Sequence, residues 1–327
     1  MTWLVTGGAG YIGSHVVRAM RADGIAVVVI DDLSTGRREF LPDDVPLVEA
    51  NLLDEDTVRA TLTEHGVTGV IHIAGYKYAG ESVRRPLHTY RQNVSAMVGL
   101  LDALTDAGVD RFVFSSSAAT YGTPDTDLVD ESTATNPQSP YGESKLIGEW
   151  LLRDVATATD GRFRHTSLRY FNVVGSGADE LFDVSPFNLF PLVFDMLFHG
   201  RTPAINGADY PTPDGTCVRD YIHVADLALA HVAAARRLEA GAPLQPVYNL
   251  GSGAGTSVRE IMTAMAEVTG IDFTAEVAPR RPGDPARIVA AGELAARDLD
   301  WQMRHSLTEM VAGAWRARQR AGDAYPV

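Results

Sequence analysis

The stretch WLVTGGAGYIG, residues 3–13, passes from a short apolar run into Gly7, Gly10 and Gly13, spaced G-x-x-G-x-x-G. An amphipathic stretch over 12–23 begins at the last of these glycines. A strand that turns this tightly into a helix has no hairpin partner; it needs a crossover, and so a parallel sheet covered by helices on both faces. The first half of the chain keeps that rhythm. Apolar runs at 3–6, 26–30, 46–50, 69–74, 111–116 and 165–172 predict strands, and 12–23, 54–65, 85–107 and 141–157 predict helices. A late run, VYNLG at 247–251, predicts one more buried strand returning to the same sheet. The expected class is α/β: a Rossmann-type doubly wound parallel sheet with a smaller C-terminal lobe, since proline and glycine become frequent between 176 and 245.

Three glycines between a strand and a helix let backbone N–H groups and the helix N-terminus approach a pyrophosphate. The second strand runs directly into Asp31, 18 residues beyond Gly13. A carboxylate there accepts hydrogen bonds from the adenosine 2′- and 3′-hydroxyls and repels a 2′-phosphate, so the expected cofactor is NAD rather than NADP. Residues 1–175 are thus expected to form the NAD-binding domain, with a returning segment near 220–253. Residues 176–327 are expected to form mainly a substrate-binding lobe.

A net charge of −14 argues against partners that need a basic face, nucleic acid and anionic lipid among them. It leaves room for a small anion held by a few arginines in a cleft. The single cysteine, Cys217, has no intrachain partner, which points to a reducing compartment. Residues 2–6 already read as a strand, so no signal peptide is expected, and the apolar stretch 187–198 is too short to span a bilayer and contains Pro191. The expectation is a cytoplasmic protein without membrane or nucleic-acid partners. The nine histidines show no metal-binding spacing, so no metal is expected, and His72 in GVIHIA reads as a core residue or as one that supports a residue touching a ligand.

The chain has 28 lysines and arginines together, of which only Lys77 and Lys145 are lysines. One of those two stands in SPYGESK, four residues after Tyr141 and on the same helical face. Ser139 is a candidate N-cap and Pro140 suits the first turn. Lysine is a compact ammonium, able to approach one oxygen closely where an arginine fork would not fit. The predicted strand RFVFSS runs into Ser115, Ser116 and Ser117 at the carboxyl edge of the sheet, where ligands of such folds bind. A Ser–Tyr–Lys set beside NAD points to hydride transfer at a secondary alcohol. The tyrosine must act as a base, and lowering its pKa from about 10 by roughly 3 takes about 4 kcal/mol. A nearby ammonium in a water-poor cleft is a source of that energy.

The segments TGGAGYIGSH, AGYKYAGES, SSSAATYG, SPYGESK, RYFN, DGTCVRDYIHVADLA, YNLGSG and APRRPGD occur in this order between residues 6 and 284. Together they resemble the UDP-glucose (UDP-galactose) 4-epimerase family of extended short-chain dehydrogenases/reductases. The resemblance implies Ser117, Tyr141 and Lys145 as catalytic residues. Tyr141 would take the proton from the sugar 4-hydroxyl while hydride passes from C4 to a tightly held NAD. The 4-keto sugar would then turn over and receive hydride on its other face. Lys145 would bind the nicotinamide ribose and favour the tyrosinate, and Ser117 would bond the sugar 4-oxygen. On the cofactor side the resemblance implies Gly7, Gly10, Tyr11, Ile12, Gly13, Asp31, Lys77 and Asn93, besides Tyr141 and Lys145. For the UDP-sugar it implies Asn172, Asn188, Arg219, Arg281 and Asp284, in addition to Ser117, with the two arginines straddling the diphosphate. It also implies a homodimer built on the helices at 85–107 and 141–157.

The chain departs from the family pattern at several positions. Asn51 stands where an aspartate near adenine is usual, and Asn206 where an aromatic packs on uracil. Phe187 precedes Asn188 in place of a second asparagine. Ile288 matches a gate position and is smaller than the tyrosine of narrow-specificity members, which would admit an N-acetylated sugar. A sugar-nucleotide 4,6-dehydratase is a rival reading, but Ala118 and Ala119 occupy the place of its acid and base. A UDP-glucuronate or UDP-GlcNAc 4-epimerase remains open, as does a non-catalytic NAD-sensing scaffold; the Ser117–Tyr141–Lys145 set argues against the last.

Overall fold

Seven parallel strands form the central sheet of the computed structural model, which describes residues 1–281 and 284–322. Pro282 and Gly283 of APRRPGD, and residues 323–327 of the expected C-terminal lobe, lie outside the described residues. Across the sheet the strands run Val247–Leu250, Arg164–Tyr170, Arg111–Ser117, Val67–His72, Thr2–Thr6, Ala26–Asp31 and Leu47–Glu49. Each expected strand of the first half is present, and VYNLG supplies the edge strand beside Arg164–Tyr170.

The strands are apolar throughout because successive residues face two different helix layers. Trp3, Val5, Val27, Val29, Ile71 and Val113 pack with Val16, Val17 and Met20 of the Tyr11–Ala22 helix and Leu227 and Leu238 of the Val224–Glu239 helix. Leu4, Val28, Ile30, Val70, Phe112 and Phe114 face the other way, onto Val58, Leu62, Met97, Leu100, Leu104 and Leu152. A third core joins Phe190, Phe194, Ile261, Met265, Met310, Val311 and Trp315 from three later helices, Leu189–Phe198, Val258–Thr269 and Leu307–Ala321.

Two expected elements differ. The predicted helix at 85–107 is broken into Pro86–Tyr90, a π-turn over Arg91–Ser95, and Ala96–Ala107. The π-turn inserts an extra residue per turn and carries Asn93 inward, where it is buried. The predicted strand at 165–172 stops at Tyr170; Asn172–Val174 leaves the sheet to pair with Tyr221–His223. That departure is held by Asp220: its carbonyl accepts from both the Asn172 N–H (3.1 Å) and the Asn172 side-chain amide (2.9 Å). The buried Asp220 carboxylate in turn accepts from the N–H groups of Ser252 (2.6 Å), Gly253 (3.1 Å) and Ala290 (3.0 Å). Among the described residues no helix is long and apolar enough to cross a membrane.

Candidate active site

The strand order reverses between Thr2–Thr6 and Val67–His72, so their carboxyl ends diverge and open a crevice. Gly7 sits at its floor with φ of 69°, and a Cβ there would lie 2.7 Å from Ala74 N. A Cβ on Gly13 would lie 2.0 Å from Gly7 O, so the helix can start against the turn only because that side chain is missing. This is the cradle that a pyrophosphate-binding loop requires. Asp31, at the end of the neighbouring strand, is buried, and its carboxylate accepts from Ala9 N and Leu33 N, both at 2.9 Å. Burial pushes its pKa up, and the two N–H bonds pull it back. The loop backbone and an acid in hydrogen-bond range of it fit a dinucleotide. Tyr11 turns its hydroxyl onto Gly175 O at 2.7 Å, and Ile12 packs against the core.

At the next crevice strand, Ser115 and Ser116 are buried and Ser117 emerges half-buried. The Ser117 oxygen accepts from Ala119 N at 3.1 Å, which starts a short 3-10 turn and fixes the hydroxyl. That hydroxyl lies near enough to the Tyr141 phenol to act on its acidity. Tyr141 lies in the first turn of the helix Pro140–Ala158, capped by Ser139, whose oxygen accepts from Gly142 N at 3.3 Å. Burial raises the Tyr141 pKa, and the Ser117 hydroxyl lowers it. One turn on, Lys145 donates to Ser115 O at 2.9 Å, with its ammonium 4.9 Å from the Phe114 ring centre and 6.0 Å from that of Tyr141. Burial lowers its pKa to about 8, so the ammonium persists at neutral pH. Ser117, Tyr141 and Lys145, expected from three separate positions of two motifs, therefore meet at one sheet edge.

A further turn along the same helical face stands Glu149, which sequence reasoning missed. It accepts from Arg169 Nε (2.8 Å) and Nη2 (2.5 Å) and from Ser116 Oγ (2.5 Å), and the ion pair is buried. The signal was available: an arginine inside the apolar pattern of a central strand demands a buried acid. His72 is, as expected, a core residue, bonded to Thr6 Oγ1 at 2.8 Å and stacked on Phe114.

The other candidates fall around this centre. Asn93 clamps the loop that follows the Val67–His72 strand: its oxygen accepts from Tyr76 N at 2.6 Å and its nitrogen donates to Tyr76 O (3.0 Å) and Ser144 Oγ (2.9 Å). Lys77, on that loop, faces Asp183 Oδ1 at 3.6 Å. Asn188 donates to Asp183 Oδ2 at 2.6 Å. Arg219 pairs with Asp284 at 3.6 Å, on a strand that runs beside Arg287–Ala290 and so brings Ile288 opposite it. Arg281 donates through Nε (3.1 Å) and Nη2 (3.2 Å) to the amide oxygen of Asn206, in the amide orientation that satisfies both groups. Asn206, Arg219, Arg281 and Asp284 thus form one polar corner. Asn51, the other departure, donates to Asp32 Oδ2 at 2.7 Å. No group of three His, Cys, Asp or Glu side chains suited to a metal occurs among the described residues.

Residues 3–251 match the model of the NAD dependent epimerase/dehydratase family. The chain belongs to that family. Among its members, the UDP-glucose 4-epimerase of Azospirillum brasilense is 45% identical over 92% of this chain and 87% of its own length. That of Corynebacterium glutamicum is 43% identical, covering 99% of this chain and 97% of its own. A crystal structure of a UDP-glucose 4-epimerase superposes with a TM-score of 0.94 at 40% identity, over 98% of both chains. The Stenotrophomonas maltophila UDP-glucose-4-epimerase, solved with bound NAD and formylated UDP-arabinopyranose, superposes at 0.93 with 40% identity, over 98% of this chain and 100% of that one. The seven-stranded parallel sheet flanked by helices is the family's α/β fold.

Proposed function

We propose that this chain interconverts UDP-glucose and UDP-galactose by inverting C4 of the hexose through a 4-keto intermediate, with NAD as resident cofactor. The observation that carries the reading is the buried Lys145 ammonium, 6.0 Å from the Tyr141 ring centre, one turn along the helix that sets Tyr141 beside Ser117 at the crevice edge. Gly7, Gly10, Tyr11, Ile12, Gly13 and Asp31 hold the cofactor on one side, and Lys77, Asn93, Tyr141 and Lys145 on the other. Bound there, NAD supplies a reversible hydride acceptor for C4.

Tyr141 takes the proton of the sugar 4-hydroxyl in one direction and returns it in the other. Burial alone opposes that role, because it disfavours the phenolate. Lys145 opposes the burial. Its ammonium is itself short of solvation, so a phenolate alongside relieves both groups, and each makes the other's charged form easier to reach. Ser117 donates to the 4-oxygen and orients it toward Tyr141. Arg219 and Arg281 take the diphosphate, which explains how a chain of net charge −14 holds an anion. Asn172, Asn188 and Asp284 complete the grip on the sugar nucleotide. Anchoring at the diphosphate leaves the hexose free to present either face, which inversion requires.

Residues 1–175, with the returning segment near 220–253, carry the cofactor in this reading; the remainder, mainly 176–327, carries the sugar nucleotide. The protein acts as a homodimer through the helices Ala96–Ala107 and Pro140–Ala158, where Val98 and Trp150 are exposed. A reducing cytoplasmic setting suits its one cysteine, a free thiol. Tyr141→Phe tests the mechanism. Interconversion of UDP-glucose and UDP-galactose, followed by NMR, should fall about 100- to 10,000-fold, the range for loss of a general base, with UDP-glucose binding retained. Unchanged turnover would remove Tyr141 from this role. Running UDP-glucuronate and UDP-GlcNAc in parallel identifies the sugar.

A further inference from the structure

Lys77 and Asn188 are assigned to different ligands, one to the cofactor and the other to the sugar nucleotide. Both reach the same carboxylate. Asp183 accepts from Asn188 on Oδ2 at 2.6 Å, while Oδ1 accepts from Ser185 N at 3.0 Å and faces the Lys77 ammonium at 3.6 Å. The acid is buried, whereas 39% of the Lys77 side chain is exposed, so Asp183 is the enclosed member of the pair and Lys77 reaches it from the open side.

Asn188 occupies the N-cap position of the helix Leu189–Phe198, where an asparagine side chain ordinarily bonds a first-turn N–H. Here it makes no such bond. Its amide has turned to Asp183 instead. A carboxylate only accepts, so the amide nitrogen must face Asp183 and the amide oxygen is directed away from it. Asp183 therefore decides which end of Asn188 is offered to a ligand.

The loop carrying Lys77 is fixed independently of this contact. Asn93 clamps its backbone at Tyr76, and Tyr78 packs edge-to-face on Phe187 with ring centres 5.2 Å apart. Two neighbouring contacts, one polar and one aromatic, thus join the loop at 76–78 to the segment 183–188.

We propose that Asp183 is a positioning residue that couples the two ligand sites, fixing Lys77 and Asn188 through a single carboxylate. The inference rests on the functional reading above. Removal of the Lys77 charge leaves Oδ1 with the Ser185 N–H alone, so nothing on the loop side holds the carboxylate in the orientation in which Oδ2 meets Asn188. The Asn188 amide then loses its fixed orientation and the sugar nucleotide is held less well. A lysine assigned to the cofactor thereby controls affinity for the other ligand.

The test is a double-mutant cycle on the holoenzyme at saturating NAD, with UDP-glucose titrated calorimetrically so that binding is read rather than turnover. Lys77→Met should weaken UDP-glucose binding about three- to tenfold in the Asp183 protein, within the range of residues that share a partner. In an Asp183→Ala background the same change should have no further effect. Asp183→Asn, which keeps the shape and an acceptor oxygen but not the charge, should likewise make the affinity insensitive to Lys77→Met. Unchanged affinity in Lys77→Met, or losses that multiply in the double variants, would overturn the proposal. A wild-type holoenzyme that binds no UDP-glucose would instead overturn the functional reading, and this inference with it.

Discussion

Replacing Lys145 with methionine should make the protein more stable while making it inert. The ammonium is buried against Phe114 and the Ser115 carbonyl, and burial lowers its pKa from 10.5 to about 8. At 1.36 kcal/mol per tenfold change in acidity, that drop corresponds to about 3 kcal/mol of strain carried by the folded, charged form. Methionine has similar length and keeps the contact with Phe114, but it leaves the Ser115 carbonyl one donor short, at a cost of about 1 kcal/mol. The net gain is about 2 kcal/mol. With an unfolding entropy near 2.1 cal/mol/K per residue, this raises the Tm by roughly 3 °C. The pH dependence identifies the cause. Below about pH 8 the lysine is charged in both folded and unfolded chains, and the full cost is present. Between there and 10.5 the unfolded chain binds the extra proton, so wild-type stability rises with pH and the gap to the variant closes. Urea unfolding of both cofactor-free proteins at pH 7 and pH 10 measures this. A variant that is less stable at pH 7, or a gap that stays constant to pH 10, would refute the argument.

Two further outcomes are expected. Glu149→Ala leaves the Arg169 guanidinium buried without its partner, which should cost about 3–5 kcal/mol and lower the thermal midpoint by roughly 4–7 °C in calorimetry. Trp150→Glu places a charge on an exposed apolar side chain of the Pro140–Ala158 helix; light scattering should report a monomer in place of a dimer, and a surviving dimer would place the interface elsewhere.

The parallel sheet was legible because burial on both faces writes strands as unbroken apolar runs, and the glycine loop because its spacing is set by contact distances. SPYGESK was legible for a local reason: a serine cap, a first-turn proline and a four-residue interval specify one helical face without help from the rest of the chain. The helix at 85–107 was misread since an amphipathic pattern continues smoothly through a π-turn, and only the inward position of Asn93 reveals the extra residue. The short helix Ala79–Arg84 has too few residues to display a period. Glu149 with Arg169, and Asp183 with Lys77 and Asn188, are pairings across different elements. No interval along the chain encodes them, and a resemblance that assigns residues one at a time to a cofactor or a substrate separates what one carboxylate joins.

Asp220 shows how an acidic protein keeps its cations available. Its carboxylate is enclosed, yet three main-chain N–H groups neutralise it, so it draws on no guanidinium. Arg219, its neighbour along the chain, is left with a 3.6 Å contact to Asp284 and a bond to the Val218 carbonyl. Peptide dipoles thus solvate the interior anion, and positive charge is reserved for the rim. An Asp220→Asn change would turn an amide N–H toward these main-chain donors and leave at least one of them unpaired, whereas a cation recruited inward to meet the acid would be one fewer at the mouth of the cleft.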